Sequence, residues 1–255
     1  MAEQEPEPNY WIEPHCKAWI ETYAPGRTFA EIGGLWGTVN ERVTLAIRAG
    51  AIKGTMIDLP ADSVPEQPGL WQRFHERCRA RGITNYEAVE ADLNDPQIAV
   101  RAGVHEVVYS TGVLYHCPRP LDSLLQVRKL CKDMLILGTA TIPDQVTNAA
   151  GSLNLEPGSA LFIPAMNAAQ RAVAAQFLKE AGATVAIGVI DDLPPEGWRL
   201  DDYGPWWWFF TRQHVAALLD VAGFDVLEVA GFWYDRATMY LARKREVRGC
   251  TARAA

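Results

Sequence analysis

Between residues 28 and 141 short apolar runs alternate with segments of helical spacing, and this rhythm limits the fold more than any other feature of the chain. TFAEIGG runs into a glycine turn, and KGTMIDLP, NYEAVEADLNDP, VHEVVYSTG and DMLILGTATIP follow as further strands. Between them, Val39, Val43, Ala46 and Ile47 stripe one helix, Leu70, Phe74 and Cys78 a second, and Leu121, Leu124, Leu125 and Val127 a third. Thr38 stands three residues before Glu41, a capping-box spacing, while Gly50 and Gly82 stop the first two helices. A parallel strand needs a crossover to reach its neighbour, so this alternation predicts a parallel sheet covered by helices on both faces.

After Pro143 the rhythm breaks. Residues 143–205 carry Asn, Gly, Pro and Ser punctuation and one helical stretch, NAAQRAVAAQFLKEAG, and they read as an inserted cap. The helix TRQHVAALLDVAGF resumes the pattern, and DVLEVAGFW and ATMYLARK read as an antiparallel pair. The expectation is one α/β domain over residues 1–255. Its sheet is doubly wound, mostly parallel and seven-stranded, with the last strand antiparallel. Ahead of it, Ile12, Cys16, Trp19 and Tyr23 share one face of a helix over residues 10–24, which either covers a site or caps the core. Residues 245–255 read as a disordered basic tail.

A formal net charge of -7 sets the surface against nucleic-acid phosphate. The first residues are acidic and proline-rich, unlike a secretion signal, and no apolar run is long enough to span a bilayer. Cys16, Cys78, Cys117, Cys131 and Cys250 form no CxxC pair. A cytoplasmic, thiol-reduced protein without a membrane partner is the expectation. His15-Cys16 and His116-Cys117 lack further ligands at useful spacing, so no metal is expected.

In an open sheet of this kind, ligands sit at the carboxyl ends of the strands, where the strand order reverses. The first four strands end at Glu31–Gly37, Asp58, Asp92 and Ser110–Tyr115. A dinucleotide fingerprint begun at Gly33 fails at Leu35 and Thr38, and one begun at Gly34 fails at Trp36 and Val39. No Gly-Lys-Ser/Thr run supports a P-loop. A ligand made of adenosine and an amino acid asks for other groups. Its ribose diol and adenine amino group want acceptors, supplied by Asp58 and Asp92, and its cationic charges favour acids and aromatic faces.

On these residues the chain resembles the class I S-adenosylmethionine-dependent methyltransferases, over about residues 28–141 and again over 206–243. EIGGLWG occupies the family's acidic glycine turn, with Leu35 standing where a glycine is usual. MIDLP and EADLND occupy its second- and third-strand motifs. STGVLYHCPRPLDSLLQVRKL and PWWWFFTRQHVAALLDVAGF are similar to its fourth-strand and late segments. The resemblance implies a Rossmann-like fold and S-adenosylmethionine as cofactor, with S-adenosylhomocysteine as product. It implies methyl transfer to a small-molecule acceptor, oxygen ahead of nitrogen or carbon. It places Glu31 and Gly33 at the methionine end, Asp58 at the ribose, and Asp92 with Leu93, or else Asp95, at the adenine, with Gly34, Leu35, Gly37 and Leu59 also among the cofactor-binding residues. Ser110 and Thr111 complete the cofactor set.

Tyr115 and His116 follow the fourth strand, where the family's methyl end lies. His116 is a candidate general base, or else a histidine that bonds backbone or stacks on adenosine. His15 is a further candidate if the leading helix folds over the site. The run Trp206, Trp207, Trp208, Phe209, Phe210 is too dense to bury on one side, so some rings should meet substrate together with Trp36, Tyr109, Tyr115, Trp233 and Tyr234. LYHCPRP is also similar to a segment of the tRNA uridine carboxymethyltransferases, where Arg119 would pair with a carboxylated cofactor; the plainer reading is an exposed arginine. Cyclisation or cleavage of the cofactor, tRNA modification and a non-catalytic binding module are the rival readings. Assembly as a homo-oligomer is left open, and a tailoring role in secondary metabolism would suit the cap and the aromatics.

Overall fold

Phe29 and Ala30, Val107 and Val108, Met134 and Leu135, and Ile136 and Leu137 are consecutive pairs, each buried and each split between two apolar clusters on opposite faces of one sheet. Only a strand with its period of two, covered on both sides, buries residues this way. The computed structural model describes residues 14–35, 41–60 and 69–246. The expected roles of Ile12, Trp36, Gly37, Thr38 and Val39, and the tail from residue 247, lie outside those residues.

The sheet is built from β1 (Thr28–Ile32), β2 (Lys53–Asp58), β3 (Tyr86–Glu90), β4 (His105–Thr111) and β5 (Cys131–Ala140), with β10 (Phe224–Phe232) and β11 (Ala237–Lys244) closing one edge. Its order is β10-β11-β5-β4-β1-β2-β3. β11 runs antiparallel to both β5 and β10, and the other neighbours are parallel. The chain therefore reverses its march between β1 and β4, which puts the topological switch at the carboxyl ends of those two strands.

On one face α1 (Pro14–Tyr23) lays Cys16, Trp19 and Ile20 against Phe29, Tyr109 and Ile136. Among the described residues, α1 packs on the core and lines neither cavity described below. α2 (Val43–Arg48) and α3 (Leu70–Ala80) continue that face, burying Val43, Trp71 and Phe74 around Met56. On the other face α4 (Ile98–Ala102), α5 (Pro120–Leu130) and α7 (Arg212–Val221) cover Val108, Leu135 and Tyr240. Each large side chain fully withdrawn from water here contributes about 1.5–3 kcal/mol.

Several local expectations are corrected. The first crossover helix begins at Val43 with Arg42 at its N-cap position, and Glu41, one residue earlier, accepts the Thr44 amide at 2.8 Å. The buried stripe of α5 is Ser123, Leu124, Val127 and Leu130; Leu125 is 41% exposed. α4 is a single short turn of helix with no sequence stripe to announce it. Arg245, assigned to the tail, is tied down by Asp220 and Asp225.

The segment between β5 and α7 holds β6 (Gln145–Asn148) paired with β7 (Gly151–Asn154), then β8 (Ala160–Phe162), α6 (Ala168–Lys179) and β9 (Trp208–Phe210). Asn167 and Gln170 form a reciprocal capping box that starts α6. The segment has its own apolar cluster, in which Val146, Ile163, Phe177 and Trp206 pack on Ile142.

Candidate functional site

Two cavities open at the carboxyl ends of the parallel strands, and Gly33 and Gly112 line both. The first encloses about 880 Å³ counted to its open mouth. It is bounded by Ile57 and Leu93 and carries the carboxylates of Asp58 and Asp92; among the described residues no lysine or arginine lines it.

β1 ends where Gly33 adopts φ +75 and donates its amide to Ile57 O at 2.9 Å. This left-handed turn suits glycine, which has no Cβ to collide. The next amide of the turn to be captured belongs to Leu35, which donates to Asp58 Oδ2 at 2.8 Å, while Leu59 N donates to Oδ1 at 2.8 Å. One carboxylate thus ties the ends of β1 and β2 together. Burial raises the Asp58 carboxyl above its ordinary pKa, against the pull of those two amides. Leu35, the departure from a glycine pattern, is 1% exposed and packs its side chain with Met56, Trp71 and Phe74. The residue therefore gives its backbone to the turn and its side chain to the core.

Asp92 sits just beyond β3 and is held from two directions. Asn94 N donates to Oδ1 at 2.7 Å, and Tyr203 OH, from the far end of the inserted segment, reaches Oδ2 at 2.9 Å and Oδ1 at 3.1 Å. Asn94 Nδ2 donates to Tyr203 OH at 2.9 Å, and Ser123 Oγ donates to Asn94 Oδ1 at 2.8 Å.

The second cavity mixes Glu31, Arg42, Thr111 and Thr139 with aromatic walls from Tyr115, Phe232 and Trp233. The Thr139 hydroxyl is buried and has no hydrogen-bond partner among the described residues. Glu31 Oε2 accepts the amides of Arg42 and, at 3.0 Å, Val43. Arg42 is buried beside Glu31, Tyr109 and Cys16. Burial, then the charge of Glu41, raises the Glu31 pKa to about 8. Between the ordinary carboxyl range and pH 8 the folded state keeps a proton that the unfolded state has released. This residue's contribution to stability therefore falls as pH rises through that window, by at most about 1.4 kcal/mol per unit. Glu31→Gln, which mimics the protonated group, is expected to flatten this slope in urea midpoints measured from pH 5 to 8.5. An unchanged slope in the variant would refute the assignment.

Trp233 reaches its place through strain. Trp233, Tyr234 and Asp235 all have left-handed backbone, with φ of 50, 51 and 64, a conformation that costs a side-chain-bearing residue about 1–2 kcal/mol. The turn is pinned by Arg212 to Asp235 at 2.6 Å, by Trp233 Nε1 to Ala181 O at 3.2 Å, and by the Arg236 guanidinium lying 4.1 Å over the Phe177 ring. Such strain persists where surrounding contacts hold it, and it is concentrated at functional sites.

Of the other expected residues, Gly34, Glu31 and Thr111 line the second cavity, and Leu35, Asp58, Leu59, Asp92 and Leu93 line the first, while Ser110 is buried in the sheet and lines neither. His116 lines the first cavity, and its Nδ1 pairs with Pro205 O at 3.0 Å. Burial pushes its pKa down to about 4, so near pH 7 the ring is neutral and a weak proton acceptor. Tyr115 stacks between His116 and Trp206, with centroids 4.2 and 4.3 Å away. His15 is exposed on α1 and lines neither cavity.

The tryptophan run is not the aromatic wall. Trp206 and Phe209 face the segment's own cluster, Trp208 and Phe210 face the sheet's, and Trp207 N donates to Tyr115 O at 2.9 Å. A strand laid between two cores buries alternate rings on opposite sides, which is how so dense a run is accommodated. Tyr234 is 78% exposed, and Arg119 is exposed beside Asp122. The sequence reading missed Trp71, Tyr203, Phe232 and Arg42; only Phe232 belonged to a segment it had marked as aromatic.

No protein-family model and no curated protein matches the chain. Solved structures do. Magnesium protoporphyrin IX methyltransferase from Synechocystis PCC 6803, with bound S-adenosylhomocysteine, is 15% identical with a TM-score of 0.53, the match covering 90% of this chain and 80% of that one. An S-adenosylmethionine-dependent methyltransferase from Mesorhizobium loti is 15% identical with a TM-score of 0.51, over 90% and 96%. The 1,6-didemethyltoxoflavin-N1-methyltransferase of Burkholderia thailandensis, bound to its substrate and S-adenosylhomocysteine, is 14% identical with a TM-score of 0.51, over 90% and 76%. Likeness at this level of identity speaks for architecture, and together with the strand order it shows that this chain has the class I S-adenosylmethionine-dependent methyltransferase fold.

Proposed function

We propose that the protein transfers a methyl group from S-adenosylmethionine to a small-molecule acceptor, with oxygen the favoured atom. The observation that carries the reading is the charge of the first cavity: two carboxylates at the ends of β2 and β3, and no cation among its lining residues. A pyrophosphate would be repelled there. The adenosine of a cationic sulfonium cofactor meets an acceptor for its ribose diol in Asp58, an acceptor for its amino group in Asp92, and apolar walls in Ile57 and Leu93. S-Adenosylhomocysteine in two of the similar structures, one of which also holds a small-molecule substrate, supports the same reading.

The bound cofactor supplies an electrophilic methyl group. The chain's part is alignment and exclusion of water. Gly33 and Gly112 line both cavities, so in this proposal the methyl group is delivered at that shared wall and the acceptor belongs in the second cavity, against Tyr115, Phe232 and Trp233. The buried Thr139 hydroxyl is available to a polar group of that acceptor. With its low pKa, His116 orients rather than deprotonates, which suits an acceptor oxygen acidic enough to ionise unaided. The same weak basicity fits an intramolecular reaction of the cofactor, which methylthioadenosine as product would reveal.

From residues 143–205 only Tyr203 lines either cavity; the segment's apolar cluster otherwise packs behind Tyr115 and Trp233, and in this proposal it tunes the acceptor site through them. No helix among the described residues is long and apolar enough to cross a membrane, and a cytoplasmic location remains part of the proposal.

Calorimetric titration with S-adenosylmethionine, S-adenosylhomocysteine and NAD tests the reading. Binding of both sulfur nucleotides and not NAD is expected. Binding of NAD, or of none of the three, would overturn it.

A further inference from the structure

We propose that Tyr203 is a positioning residue that sets the nucleobase selectivity of the first cavity by fixing the Asp92 carboxylate. The inference rests on the cofactor reading above and adds a residue and a selectivity to it.

Ser123, Asn94, Tyr203 and Asp92 form a hydrogen-bond chain with one direction. Ser123 Oγ donates to Asn94 Oδ1, so the other end of the amide, Nδ2, is the end turned to Tyr203. Tyr203 OH accepts from Nδ2, which commits its own hydrogen to Asp92. The chain closes on a carboxylate whose Oδ1 already takes the Asn94 amide at 2.7 Å. A carboxylate offers about four acceptor positions. With Asn94 N on Oδ1 and Tyr203 OH shared between Oδ2 and Oδ1, the carboxylate keeps capacity for a further donor and presents acceptors only. Tyr203, Asn94 and Asp92 all line the cavity, and Ser123 is buried behind them.

The carboxylate accepts a hydrogen from an exocyclic amino group and has none to give to an exocyclic oxygen, while one of the two Asn94 Nδ2 hydrogens is committed to Tyr203. Adenine carries the former at its six position and hypoxanthine the latter. Removing the tyrosine hydroxyl changes two things at once. The carboxylate loses a donor that holds its orientation, and Asn94 Nδ2 is released to donate to a six-oxo group. Both changes narrow the preference for adenine. A tyrosine that merely props the segment would weaken both nucleosides alike.

The experiment compares S-adenosylhomocysteine with S-inosylhomocysteine by calorimetry on the full chain. Wild type should prefer the adenosine compound by at least about 100-fold, because the Asp92 carboxylate, an acceptor only, leaves an oxo group facing it unpaired. Tyr203→Phe, which keeps the ring, should lower that ratio about tenfold, the worth of one net hydrogen bond of about 1.4 kcal/mol. Ser123→Ala, which loosens the amide without touching the cavity lining, should lower it in the same direction by less, and it decides the matter if the phenylalanine variant fails to fold. A ratio unchanged in Ser123→Ala and in a folded Tyr203→Phe would overturn the inference while leaving the cofactor reading intact. Folded wild type that binds neither compound would overturn both.

Discussion

Asp58→Ala should weaken S-adenosylhomocysteine binding by about 100-fold or more. Charge-assisted hydrogen bonds from two ribose hydroxyls, at roughly 1.5 kcal/mol each at the low end, account for that factor. The carboxylate has a second duty, since its oxygens hold the amides of Leu35 and Leu59 at 2.8 Å and so join the turn after β1 to the end of β2. The two duties separate on the ligand side. An analogue lacking both ribose hydroxyls should lose most of its affinity for wild type and little further in the alanine variant. Any residual loss then measures the slackened turn. Asp58→Asn should fall between, because its amide group faces a backbone donor with a donor of its own. An alanine variant that binds within threefold of wild type would remove Asp58 from the site.

Gly33→Ala carries the largest expected effect on folding. The residue has φ +75, and a Cβ built there lies 2.3 Å from Val113 Cγ2, far inside contact distance. The left-handed backbone alone costs an alanine about 1–2 kcal/mol, and crowding in a packed region adds about 1–3. Destabilisation of about 2–4 kcal/mol should appear as a Tm lowered by roughly 5–15 °C for a chain of this size. Val113→Ala in the same chain removes the clash and leaves the backbone strain, so the double variant should recover part of the loss relative to Val113→Ala alone. A double variant no better than the sum of its parts would show that the side-chain contact is not what excludes alanine.

The strands were legible because a parallel sheet buried on both faces demands continuous apolar runs, and TFAEI, KGTMID and LILGTA supply them. Asp58 and Asp92 were legible because a carboxylate directly after such a run is held at a strand end. Direction was harder to read than location. The dense aromatics of Trp206–Phe210 announced burial, yet nothing in their order told which core each ring would enter, and β9 divides them between two. Arg42 carries no sequence sign of burial, yet it lies buried beside Glu31 and Tyr109 of the sheet and Cys16 of α1. Tyr203, in DDYGP, belongs to no periodic pattern, and its partner is 111 positions away in the chain. Contacts of that kind are made by topology alone.

The segment between β5 and α7 leaves and rejoins the sheet at nearly one place, where Thr141 and Phe210 share a bridge. Closing a chain over so short a gap costs little more as the loop lengthens, about 0.6 kcal/mol for each doubling. In the proposed cap reading residues 143–205 exchange as a unit, and such chimaeras should keep the parallel strands provided the donor fits Ile142 and Phe209, which share the segment's apolar cluster. Tyr203 is the exception to that portability. Donor segments lacking a tyrosine in its register would arrive with Asp92 held by the Asn94 amide alone, and the choice of donor for any such graft begins there.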